Sequence, residues 1–262
     1  MSYISDFKSP PISLFGVNGG TTSTDASLAT LVGAKFRSAD DRTFALVQNG
    51  GSALVSGVLV QSPASIGANH TGLTCATASI GATQITVTLG GTAVTANQYA
   101  GGYAVVSAGT GIGQTLRIAS HPAQSSTSGT VVLTLEDPLS VATAVADSKV
   151  SLTLPQYGGP NGTNVSTHGV VVCPTTLTGR VIGATISPIP ASTTTVPSYG
   201  FIQTNGPVGV LNQGGTAIGL DVMPSASVAG AVCTYVAATS SRVGTSTVAG
   251  ENTKTQLITL QL

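Results

Sequence analysis

Three histidines, three cysteines, nine acidic and nine basic side chains are all that 262 residues offer for acid–base, metal or charge chemistry. His70, His121 and His168 are widely spaced and sit among turn residues, with Pro122 directly after His121. They read as loop histidines and not as a metal set. Cys75, Cys173 and Cys233 are odd in number and make no C-x-x-C pair. That excludes a zinc knuckle or dithiol motif and leaves small buried hydrophobes. Asp40 and Asp41 are adjacent, as are Glu136 and Asp137. Neighbours in an extended chain point to opposite sides, so adjacency makes no catalytic carboxylate pair. Glu136, Asp137 and Pro138 read as the end of a strand. Gly109-Thr110-Gly111-Ile112-Gly113 has phosphate-loop composition, but a strand-like Thr115–Ala119 follows it. Without a helix N-terminus the phosphate logic fails, and the segment reads as a turn. No G-x-S-x-G, H-E-x-x-H or EF-hand pattern is present. The expectation is a protein that is not an enzyme and uses no cofactor or metal.

Charge tells more than motif. Charged residues are 7% of the chain, where about 25% is ordinary, and the net charge is zero. Eight of the eighteen charges lie before Thr43, and the 74 residues from Thr43 to Leu116 hold none. Nine dispersed cations offset by nine anions make no phosphate-binding patch, so nucleic acid is not an expected partner. No run of about 18 apolar residues exists to span a bilayer. The first residues lack the apolar stretch of a secretion signal, so Asn69, Asn161 and Asn164 read as loop residues and not as glycan acceptors. A surface so poor in charge suits a chain covered by neighbouring subunits.

The elements carrying these residues repeat with period two. Gln84–Leu89, Thr130–Glu136, Lys149–Leu154 and Gln256–Leu262 alternate apolar with small polar residues. Further strands are expected at Thr43–Gln48, Leu54–Val60, Tyr103–Val106, Thr115–Ala119, Gly169–Cys173, Arg180–Ser187, Tyr199–Thr204 and Ala231–Ala237. Asn49-Gly50, Asn161-Gly162 and Asn205-Gly206 read as tight turns. Helix is expected only at Thr24–Val32 and for one turn at Thr95–Ala100. The fold class is all-β, with antiparallel sandwich or barrel-like domains and very little helix. Pro155–Asn164 concentrates chain breakers. The expected plan is an N-terminal arm at 1–42, a β domain at 43–155, a linker at 156–168 and a C-terminal β domain at 169–262. Pro10 and Pro11 stiffen the arm. Tyr3, Ile4, Phe7, Ile12, Leu14 and Phe15 are its candidate partner-contact residues.

Several stretches carry a resemblance. Asp41–Gln61 (DRTFALVQNGGSALVSGVLVQ) is similar to a segment of tailed-bacteriophage virion proteins. Tyr99–Ala119 followed by Val131–Leu139 resembles the middle of the same proteins, and Tyr199–Val208 with Pro224–Val232 resembles their C-terminal part. Phe201 stands where those proteins tend to carry Trp. The motifs keep their order through most of residues 40–262. The resemblance is to capsid decoration, or cement, proteins. It implies a homotrimer on the capsid exterior, made in the host cytoplasm, with the major capsid protein as partner. Two other classes remain: a tail tube, fibre or adhesin component, and a polysaccharide hydrolase. The second would need facing carboxylates and, commonly, aromatic sugar platforms, and the chain has no Trp.

Overall fold

The structure, a computed structural model, describes residue 24 and residues 26–159, 168–236 and 241–262. Tyr3, Ile4, Phe7, Ile12, Leu14 and Phe15 of the expected arm lie outside the described residues, as do 160–167 of the expected linker. Two 3-10 helices, Ala26–Leu31 and Gly67–His70, are the helical elements among the described residues. No helix there is long and apolar enough to cross a membrane. All else that is regular is strand, and every named strand pair is antiparallel.

Six strands form a nearly closed barrel. They are β4 (Leu73–Thr74), β5 (Gln84–Thr88), β6 (Tyr103–Ala108), β7 (Thr115–Ser120), β8 (Thr130–Leu135) and β9 (Lys149–Thr153), in spatial order β4-β9-β6-β7-β8-β5. The end strands meet through an antiparallel bridge between Cys75 and Val87, and Ala76 N–H donates to the Thr86 carbonyl at 2.8 Å. Period two decides which side chains go inside: Ile85, Val87, Ile118, Leu133 and Val150 are fully buried, while Thr88, Thr115, Arg117 and Val132 face out. Register shifts between Val106 and Ala108 and between Ile118 and Ser120 bend the sheet toward closure.

The remaining strands make a ten-stranded half-barrel, called the body below. Before the barrel come β1 (Lys35–Arg37), β2 (Thr43–Gln48) and β3 (Leu59–Gln61). After it come β10 (Val171–Val172), β11 (Val181–Thr185), β12 (Tyr199–Leu211), β13 (Asp221–Pro224), β14 (Val232–Thr234), β15 (Gly244–Ser246) and β16 (Thr255–Gln261). Residues 43–61, expected with the barrel segment, hydrogen-bond instead into the sheet of 171–261: β2 pairs with β12, and β3 with β10 and β11. These partners are remote in sequence, and local alternation carries no sign of them. Because β3 and β10 are neighbours, the chain leaves and re-enters the body at adjacent points, and the barrel is an insertion between them. Strand β2 is buried on both faces. Ala45 and Val47 pack with Val60, Ile182 and Ile202, while Phe44 and Leu46 pack with Ala29, Tyr199 and Phe201.

Two local expectations are corrected. Asn205-Gly206 is not a turn: β12 runs through it for thirteen residues, with Gly206 at φ +90° beside a register shift at Gln203/Asn205. The positive φ serves a bulge, so that β12 pairs with β2 along its first half and β16 along its second. Of Leu54–Val60, only the end joins β3. Leu54 makes a single bridge to Ile189, and Gly57 turns the chain at φ +75°.

The barrel's inside–outside assignment is testable by a paired truncation. Leu133→Ala is expected to cost about 2–5 kcal/mol, and its exposed neighbour change Val132→Ala no more than about 0.5 kcal/mol. Equal losses in urea unfolding would contradict the assignment.

Candidate functional site

The barrel has two unlike ends, and the strand directions say which residues lie at each. Its root carries the loops 66–72, 89–102 and 121–129 and both connections to the body. Ser62 and Ser65 N–H groups donate to the Arg180 and Thr178 carbonyls, and Gln48 N–H donates to the Tyr157 carbonyl. Its tip carries the loops 75–83, 109–114 and 136–148, farthest along the barrel from those connections.

The root holds the histidines. His70 Nδ1 accepts from the Tyr99 hydroxyl, and His70 Nε2 donates to the Thr92 carbonyl at 2.9 Å. The Tyr99 backbone N–H donates to His121 Nε2 at 3.0 Å, and His121 Nδ1 donates to the Pro122 carbonyl at 2.9 Å. Each ring therefore uses one nitrogen as donor and one as acceptor, which is the neutral form. The Tyr99 ring meets His70 edge-on, with centroids 5.4 Å apart. His168, on the segment leading into β10, is buried near enough to His121 to feel its charge. Burial holds all three histidines below their usual range and pushes the Tyr99 phenol up. His70 and His121 are satisfied on both ring nitrogens, and all three histidines are buried. No group of three or more His, Cys, Asp or Glu among the described residues is placed to hold a metal ion.

The tip holds the glycine loop. Gly109, Gly111 and Gly113 all have positive φ, at 75°, 84° and 93°, and they shape the β6–β7 connection. A Cβ on Gly109 would stand 2.3 Å from the Asp147 carbonyl oxygen. The Thr110 N–H and hydroxyl both donate to the Asp147 carboxylate, at 3.1 and 3.0 Å. A protein carboxylate therefore takes the donors that a phosphate would need. Gln114 ties the loops together: its Nε2 donates to the Gly111 and Val141 carbonyls, and its Oε1 accepts from Ser140 and Val141 N–H. Across the same end, Gly81 N–H donates to the Leu139 carbonyl, and Val145 N–H to the Thr77 hydroxyl. These cross-linked loops leave Ile80 69%, Ile112 67%, Val145 58% and Val141 47% exposed. Sequence reading missed this surface. Its signal is a lone aliphatic flanked by small residues (Ser, Gly or Ala) in successive turns.

Three of the four adjacent acids are taken up in ion pairs. Asp41 and Asp40 lie in the β1–β2 turn and pair with Arg37 at 2.6 Å and Arg42 at 2.7 Å, while Glu136 pairs with Arg117 at 3.0 Å. Cys75 and Cys173 are buried, and Cys233 is half-buried. Burial raises all three thiols, Cys173 to about 12. Comparison with protein-family models, with curated proteins and with solved structures returns no match to this chain.

Two outcomes follow from these contacts. Gln114→Ala is expected to lower stability by about 1–3 kcal/mol and to open the tip loops to limited proteolysis. Wild-type stability and an unchanged cleavage pattern would contradict the cross-linking role. At neutral pH, a soluble disulfide reagent is expected to reach Cys233 in the folded protein, and Cys75 and Cys173 only after denaturation. Equal reaction rates of all three in the native state would contradict the burial.

Proposed function

We propose that this chain is a structural component of a tailed-phage virion, a capsid decoration protein that binds the assembled head lattice and stabilises it. The observation that carries the reading is the barrel tip, where four well-exposed aliphatic side chains stand on tightly cross-linked loops at the end remote from the body. Single exposed apolar residues are ordinary, but a group on one rigid end marks a contact surface. The charge-free stretch from Thr43 to Leu116 supports the same reading, because charge is what keeps free proteins apart. So does the ordered resemblance of residues 40–262 to decoration proteins.

The mechanism needs no reacting group. A protein that binds only the assembled shell stabilises it by mass action, by about 2.7 kcal/mol per site when its free concentration is a hundred times Kd. Trimers closing around local three-fold axes would repeat that contact over the lattice, with the arm residues Tyr3, Ile4, Phe7, Ile12, Leu14 and Phe15 gripping neighbours.

The purified protein, mixed with bare heads, is expected to bind to a saturating copy number and to raise their thermal stability. The double change Ile112→Asp with Val141→Asp is expected to weaken that binding at least tenfold while leaving the unfolding temperature of the free protein unchanged. Absence of saturable binding to heads, with rings or filaments of the protein seen alone by electron microscopy, would favour a tail component instead.

A further inference from the structure

The root of the barrel gathers all three histidines of the chain, and among the described residues no carboxylate acts on them. The segments that build the root, within Thr43–Leu116, Ile118–Leu135 and Val150–Gly179, contain no Asp, Glu, Lys or Arg. Among the described residues, the titratable groups that face His121 are Tyr99 and His70 from the barrel loops and His168 from the segment entering β10. Among the described residues, the charges acting on His121 and His168 are those of other histidines.

The hydrogen bonds make His121 the group most sensitive to protonation. Its Nε2 is the acceptor for the buried Tyr99 N–H. A proton on Nε2 turns that bond into two donors facing each other and removes the acceptor that His121 offers the buried Tyr99 N–H. His70 is less constrained. Its Nε2 already donates to the Thr92 carbonyl, and a proton on Nδ1 needs only the Tyr99 hydroxyl to turn from donor to acceptor. The positions of the three rings matter as much as their bonds. His70 and His121 belong to the barrel, and His168 to the strand connection of the body. Positive charge on all three would push the two parts away from each other.

We propose that this cluster is a proton-operated latch, which seats the barrel on the body at neutral pH and loosens it in mild acid. The sign follows from the neutral rings. The opened state takes up protons in the ordinary histidine range near pH 6.5, while the closed state resists them. Closure is therefore complete above that range and is lost as pH falls below it. The inference concerns the chain itself and does not depend on the virion reading.

The test is native-state hydrogen exchange of the full chain from pH 7 to pH 5, read segment by segment and corrected for the intrinsic exchange rate. Opening of the root segments 66–72, 94–102 and 118–123 is expected to rise about tenfold per pH unit for each proton taken up. The body strands β2, β12 and β16 are expected to keep their protection. His121→Gln supplies an acceptor that does not titrate and is expected to flatten the pH response of the root. If that variant fails to fold, His168→Gln, which removes the repulsion across the joint, is expected to reduce the response. A uniform loss of protection in root and body would overturn the proposal, as would an unchanged pH response in the folded variants.

Discussion

A sheet edge without charge is exposed to pairing with other strands, and closing the sheet removes that edge. Unpaired strand edges recruit other strands, and proteins commonly guard them with lysine, proline or a covering element. This chain has no charged residue between Thr43 and Leu116, so β4, β5 and β6 have none within them. The barrel meets the constraint by joining its two end strands through the Cys75–Val87 bridge. The body meets it differently. Strand β1 pairs only with β2 in the sheet order, is three residues long, and carries Lys35 and Arg37 exposed. The scarce charges stand on a strand that, among the described residues, pairs with β2 alone.

Closure also fixes what each end of the barrel can do. The chain enters and leaves at one end, so that end is crowded, buried and rich in polar side chains that must satisfy one another. Tyr99 serves both neighbouring histidines there, through its hydroxyl and its backbone N–H. The other end has no connection to the body and holds its shape through Gln114 and Asp147. Rigid loops at a free end can carry exposed Ile80 and Ile112 without collapsing onto them. Recognition at the tip and proton sensitivity at the root thus follow from one topology, an inserted barrel held at a single end.

Much of this was legible residue by residue. Thr43–Gln48 is a strand with the bounds that its β-branched and aromatic run implies, and Gln84–Thr88 buries Ile85 and Val87 as its alternation requires. What alternation does not encode is the partner. Nothing local to β2 says that it lies beside β12, so the insertion of the barrel into the body was invisible. Glycine misled where two uses share one conformation: positive φ at Gly206 suits a turn and a bulge alike, and the continuing pairs with β16 decide for the bulge. The loop placement of the histidines was legible, and the hydrogen bonds of His70 and His121 were not. Their shared site depends on loops that meet only when the barrel closes.

Closure of the barrel is the claim on which the rest stands, and the Ala76 amide reports on it directly. Its hydrogen bond to Thr86 exists only if the two end strands meet. In hydrogen-exchange NMR at neutral pH, Ala76 should be protected to the same order as the central amides of β8. Exchange of Ala76 at the rate of an open loop, with β8 still protected, would mean that the sheet is open and that the account of both its ends is wrong.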